Sequence, residues 1–158
     1  MDTQIKVGAI VEENDKILLI KEWSNSKKGY FWNIIKGTFD SLIDGTLEEC
    51  VIREAMEEIG VVIQLSKFIK LSIKHGFNTR IYVNFVASII QGKPKVQSKI
   101  DQASRNEDII ETKWFTKHEL NNMDEDKYIN DVAYETVTNW LKNKAYSLDL
   151  LVEKKIKI

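Results

Sequence analysis

The sequence predicts an α+β fold, on three observations. Several segments rich in β-branched and aromatic residues, bounded by polar turns, have the pattern of strands. The stretch Thr46 to Val61 keeps helical spacing between a start and a stop signal, and a second helical pattern lies near the C-terminal end. No repeat, low-complexity segment or linker divides the chain, so residues 1–158 read as a single domain.

In order along the chain, Ile5–Val11 is strand-like, and the polar turn Glu12–Asp15 leads into a second strand at Lys16–Ile20. Ser24–Gly29 is a polar loop whose Lys27 and Lys28 read as solvated. Tyr30-Phe31-Trp32 is an aromatic cluster, with Trp32 assigned to the core, and Ile34-Ile35 is a short apolar run ending at Lys36-Gly37. After the central helix, Val61–Ile63 and Phe68–Ile73 are separate strand-like runs, and Lys74–Asn78 is a hairpin turn returning through a long strand at Arg80–Ile90. There Ile81, Val83, Phe85 and Ala87 alternate with Tyr82, Asn84 and Val86, so one face is expected to be buried. Residues 95–107, beyond Pro94, are polar and read as a mobile excursion. Ile109-Ile110 opens a strand closing on Trp114-Phe115, and Thr116 with Glu119 is a capping box for a short helix. From Asp131, Ala133, Val137, Trp140 and Leu141 keep helical spacing, predicting a C-terminal helix packed on the sheet. The tail SLDLLVEKKIKI fits strand or helix equally.

The stretch TLEECVIREAMEEIGV carries the chemistry. Ile52, Ala55, Met56 and Ile59 form an apolar stripe, and Glu54, Glu57 and Glu58 fall on the opposite face, their carboxylates projecting together. Thr46 with Glu49 predicts a capping box, and Gly60 supplies a left-handed stop. Like charges at these spacings cost roughly 0.2–0.5 kcal/mol per pair on an exposed helix. Carboxylates in the last turn also oppose the helix dipole, by about 0.3–1 kcal/mol each. Arg53 is spaced to pair with Glu49 and Glu57. The remaining conflict is what a functional site produces, with a cation as the absent partner.

Composition bounds the class. Hydrophobic residues are 43% and charged residues 30%, as in soluble globular proteins. With 23 basic against 24 acidic residues, no global field argues for nucleic acid or a membrane surface. Cys50 is the single cysteine, which excludes an internal disulfide and suits a reducing compartment. No apolar run approaches the roughly 20 residues that span a bilayer, and the first residues lack a signal peptide's pattern. A cytoplasmic protein is expected.

Gly37, a loop, and then Arg53-Glu54-Ala55-Met56-Glu57-Glu58-Ile59-Gly60-Val61 resemble the signature of the Nudix hydrolases. That signature has a glycine, a loop and helix, then R-E-apolar-x-E-E-x-G-apolar. The resemblance covers about residues 5–120, with Trp32 shortly before the glycine and Trp114-Phe115 closing a late strand. It implies a Nudix-like α/β/α sandwich with a mixed β-sheet between helices. The first half departs from the pattern: Gly45 stands eight residues before Arg53, where the family places a glutamate. An insertion of about two residues around Ser41-Leu42-Ile43 reconciles the halves. Asp40 then matches the acidic residue three after the glycine, and Asp44 is the candidate replacement for the missing glutamate.

The resemblance implies a metal-dependent hydrolase cleaving a phosphate anhydride in a nucleoside diphosphate linked to another moiety. Mg²⁺, or Mn²⁺, would be the cofactor, since hard cations take oxygen ligands and Mg²⁺ keeps several waters. Glu54 and Glu58 are the implied principal ligands, with Glu57 sharing a metal or its water and the Gly37 carbonyl adding a ligand. Arg53 would orient the glutamates. The general base is either a helix glutamate or one of Glu107, Asp108 and Glu111. Lys36, Lys74, His75 and Arg80 are candidate phosphate contacts; His118 reads as exposed, and Cys50 as packing. A homodimer is common among such proteins. Two alternatives stay open: a nucleotide-binding or sensor domain without turnover, motivated by Gly45, and an isomerase, which would require a reactive Cys50.

Overall fold

A computed structural model describes residues 2–154 and 156. A seven-stranded sheet is built from β1 (Thr3–Glu13), β2 (Lys16–Ser24), β3 (Gly29–Asn33), β4 (Ile35–Thr38), β5 (Val62–Lys74), β6 (Thr79–Gln91) and β7 (Ile109–Thr116). The helices are α1 (Leu47–Ile59), α2 (Lys99–Ser104), α3 (Lys117–Asn121) and α4 (Asp131–Leu141). The sheet runs β3-β2-β1-β6-β5, with β4 on β1 and β7 on β2. Among the strands of the described residues, β1 and β6 pair in parallel and the other pairs are antiparallel, so the sheet is mixed.

The site is prepared by a fork in this sheet. β1 and β2 pair only near their hairpin, from Val11↔Leu18 to Glu13↔Lys16, and then separate. Asn14 and Asp15 make that hairpin turn with φ of 50° and 60°, a conformation these short polar residues tolerate. β3 continues along β2 and β4 along β1, so a single chain segment bent at Ile34 fills the gap. Asn33 stabilises the bend, its side-chain oxygen accepting the Ile34 N–H at 2.9 Å. The segment then runs through Gly37, in register with Val7, and ends at Thr38, opposite Lys6.

Each sheet face carries a core. On one, Val7, Ala9, Leu18, Ile20 and Ile35 meet Val51, Ala55 and Ile59 of α1. On the other, Ile10, Ile17, Leu19 and Val86 meet Val137 and Trp140 of α4. This is the expected α/β/α sandwich. Burying such side chains contributes roughly 1.5–3 kcal/mol each. No helix among the described residues is long and apolar enough to cross a membrane.

The structure corrects several expectations. The two runs after the central helix are one strand, β5, whose polar interruptions become bulges near Leu65/Lys67 and Phe68/Lys70. β6 is buried on both faces, Asn84 and Val86 as well as Val83 and Phe85, because helices cover both sides. Residues 95–107 are not a loose excursion: they contain α2, held by Gln102, which is 1% exposed. Its amide accepts the Ile109 N–H at 2.6 Å and donates to the Gln97 and Ile109 carbonyls. One buried amide satisfied by backbone leaves no hydrophobic period to read. Trp32 is only half-buried, packed edge-to-face on Phe115. Lys27 is tied down, donating to the Tyr128 carbonyl at 2.7 Å. The tail forms a short 3-10 turn at Leu148–Leu150. It places Glu153 on the Leu47 N–H at 2.8 Å, while Lys155, Lys157 and Ile158 lie outside the described residues.

Candidate active site

Helix α1 starts and stops where its sequence directs, but it is turned differently from its apparent amphipathic pattern. Thr46 caps the Glu49 N–H at 3.1 Å, and Gly60 closes the helix in the left-handed region at φ 71°. The capping box is not reciprocal: Glu49 reaches past Thr46 to the Gly45 N–H at 2.6 Å. The buried arc runs through Leu47, Cys50, Val51, Glu54, Ala55, Glu58 and Ile59, while Met56 faces solvent. The helix is therefore rotated by about a quarter turn from the stripe Ile52-Ala55-Met56-Ile59. Glu54 and Glu58 lie against the forked sheet, and Glu57 stands at its edge.

Buried carboxylates persist only when partnered, and each here has a partner. The Lys36 backbone N–H donates to Glu58 at 3.2 Å, and the Lys36 ammonium stands 4.0 Å from the same carboxylate. That ammonium also pairs with Glu22 at 3.1 Å, and Glu22 is held by the Asn33 amide at 2.9 Å. Burial works against the Lys36 charge, but Glu22 and Glu58 prevail and raise its pKa above the usual lysine range. Burial likewise raises the carboxyls of Glu54 and Glu58, the latter strongly.

Arg53 holds three carboxylates. It donates to Glu54 at 2.9 Å and to Glu57 at 3.1 Å from one nitrogen, and grips Asp44 through two others at 2.9 Å each. Asp44 is buried, also accepts the Asp40 N–H at 3.0 Å, and is held below the usual carboxylate range by Arg53. The expected Arg53–Glu49 pair is replaced by this one. Thus the loop before α1 brings Asp44 to Arg53, and Gly45 lies exposed beside it.

Gly37 makes room for the site. A Cβ there would lie 1.9 Å from Cδ of Glu54, so only glycine lets this carboxylate settle against β4. Glu54, Glu57 and Glu107 each bring a carboxylate oxygen within 4.8 Å of the others. Glu58, directed toward Lys36, is not among those three. All four line a cavity of about 850 Å³ with Lys6, Lys36, Gly37 and Arg105. Three crowded oxygen donors with a glycine-made recess beside them suit a hard divalent ion.

The three base candidates separate. Glu107 lines the cavity, paired to Arg105 at 3.2 Å and raised in pKa by burial. Asp108 points elsewhere, to Tyr30 and Lys99 at 2.9 and 3.1 Å, and Glu111 is exposed on β7. Lys74, His75 and Arg80 line a separate hollow of about 300 Å³ at the β5–β6 turn, and His118 is exposed. Cys50 is fully buried and its thiol is pushed up to about 12 by burial first, which removes it as a nucleophile.

Sequence reading missed Lys6, Glu22 and Arg105. Glu22 had a signal, since it follows Leu18 and Ile20 at strand spacing and so belongs on a buried face. Arg105 bridges to α1, donating to the Glu57 carbonyl at 2.7 Å. No local pattern marks that contact.

The NUDIX domain family model matches residues 2–137. The ADP-ribose pyrophosphatase of Methanocaldococcus jannaschii is 30% identical over 102 residues, covering 63% of this chain and 59% of that protein. A NUDIX hydrolase from Nitrosomonas europaea shares the fold with a TM-score of 0.77 at 17% identity, over 97% of this chain and 98% of that one. A MutT NUDIX hydrolase from Burkholderia pseudomallei does so with a TM-score of 0.68 at 19% identity, over 88% and 98%. With a family match across most of its length and the glutamate-bearing helix seated against Gly37, this chain belongs to the NUDIX family.

Proposed function

We propose that the protein is a divalent-metal-dependent pyrophosphohydrolase acting on a nucleoside diphosphate linked to a second moiety. The observation that carries this reading is the convergence of Glu54, Glu57 and Glu107 in a cavity large enough for a nucleotide derivative. The ADP-ribose pyrophosphatase named above supports the substrate class, although this chain spans about 59% of its length.

Glu54 and Glu57 would hold Mg²⁺ or Mn²⁺, with the Gly37 carbonyl as a further ligand and Glu58 as the acid behind them. A divalent ion in that place neutralises phosphate oxygens and lowers the pKa of bound water. Arg53 orients the two outer glutamates. Glu107 comes from the α2–β7 connection rather than from α1 and brings its carboxylate beside Glu54 and Glu57 in the cavity, so it is assigned as the base that takes the water's proton. The alternative of a binding-only domain is motivated by the missing glutamate at Gly45; the Asp44–Arg53 pair beside it supports the catalytic reading instead.

The test is hydrolysis of a panel of nucleoside diphosphate sugars, dinucleoside polyphosphates and nucleotides with Mg²⁺ or Mn²⁺. Wild type should turn over at least one, and Glu57→Gln and Glu58→Gln should lose that activity while remaining folded. Unchanged rates in both variants would overturn the reading.

A further inference from the structure

Lys6 lies on a strand flanked on both sides, opposite Thr38 of β4 and Tyr82 of β6, where a lysine is costly unless its charge is used. It is half-buried and donates to the Thr38 hydroxyl. The other cations lining the cavity, Lys36, Arg53 and Arg105, each pair with at least one carboxylate. Among the described residues Lys6 enters no ion pair. Its charged neighbours are mostly of its own sign: burial, then Lys36 and Arg80, hold its pKa below lysine's usual range, opposed by Glu54 alone. The molecule thus keeps an ammonium without a counter-ion on the wall of the cavity that holds the converging glutamates.

We infer that Lys6 is a substrate-binding residue whose ammonium takes the phosphate group that is not on the glutamate-held ion. The Thr38 hydroxyl beside it can donate to the same group, which suits a ligand with several acceptor oxygens. The ammonium would then hold one phosphate of a diphosphate, while Glu54 and Glu57 would hold the ion that neutralises the other. This fixes the anhydride bond relative to Glu107 and favours ligands with two adjacent phosphates over neutral nucleosides. The inference rests on the proposed hydrolase for the kind of ligand, but not on turnover.

Calorimetric titration with α,β-methylene-ADP in Mg²⁺, which cannot be cleaved at the methylene bridge, tests it on the wild type, Lys6→Met and Lys6→Arg. A charge-assisted hydrogen bond lost on Lys6→Met should weaken binding by roughly tenfold or more. Lys6→Arg should stay within about threefold of wild type, because the charge is kept. Urea unfolding of Lys6→Met should match or exceed wild type, since like-charge crowding is relieved. Equal affinity in Lys6→Met and wild type would overturn the inference, as would no binding by wild type. Lys6-dependent binding without hydrolysis of any panel substrate would sink the hydrolase reading and leave the anion site standing. Hydrolysis that persists while Lys6→Met binds normally would sink Lys6 alone.

Discussion

Gly37 and Glu54 share one space: a methyl group on Gly37 would sit 1.9 Å from Cδ of Glu54. The glycine belongs to a short strand and the glutamate to a helix seventeen positions on, yet the site exists only because the first has no side chain. Gly37→Ala should displace the Glu54 carboxylate and lower kcat about a hundredfold, the usual penalty for an ångström of misplacement. Overpacking should cost about 1–3 kcal/mol in urea unfolding. Normal activity with normal metal affinity in this variant would contradict the close approach.

Asp44 pairs with Arg53 through two nitrogens, next to the exposed Gly45. Asp44→Ala strips Arg53 of its two-pronged partner in a buried spot, and should cost about 1–3 kcal/mol, less than a fully buried pair because Arg53 is partly exposed. Gly45→Glu, on the exposed side, should change activity by no more than about twofold. A large gain from Gly45→Glu would mean that the loop is threaded otherwise.

The acids near the end of the polar connection should separate cleanly in kinetics. Glu107→Gln should lose roughly 10²–10⁴ in kcat, as removal of a general base does. Asp108→Asn and Glu111→Gln should stay within about threefold, since neither lines the cavity. Equal losses in all three would remove Glu107 from its assigned role.

Burial raises Glu54, Glu58 and Glu107 above glutamate's ordinary 4.5. A carboxyl raised in the folded state takes up a proton on folding, so its stabilising effect is complete below about 4.5 and is lost as pH rises through the raised value. Asp44, held low by Arg53, acts in the opposite sense, losing its stabilising effect as pH falls. The Mg²⁺ increment at fixed pH therefore isolates the site. Mg²⁺ at tenfold its dissociation constant should add about 1.4 kcal/mol at pH 8, or roughly 3–6 °C in thermal midpoint. The same concentration should add far less at pH 5, where protons compete for the carboxyls. An increment independent of pH would show that Mg²⁺ binds elsewhere.

Much of this was legible along the chain because it is local. The caps of α1 at Thr46 and Gly60, the Thr116–Glu119 box and the β-branched runs each depend on residues within a few positions. The spacing Arg53, Glu54, Glu57 and Glu58 likewise needs only helical geometry to place acids on neighbouring turns. Gln102 and Arg105 escaped notice because each works through backbone groups far along the chain or through a single buried amide, and neither leaves a period.

The sequence alone determined the helix, its ends and the presence of a glutamate cluster, since backbone hydrogen bonding and 3.6-residue periodicity act over short range. Tertiary structure decided which face of that helix is buried: the Lys36 backbone and the recess at Gly37 on β4 receive Glu58 and Glu54, Arg53 beside them is held by Asp44, and Met56 is left outside. It also decided that Glu107, not Glu58, completes the converging trio, and that Lys6 looks into the same cavity. Those outcomes turn on the packing of segments distant in sequence, and on where the sheet forks.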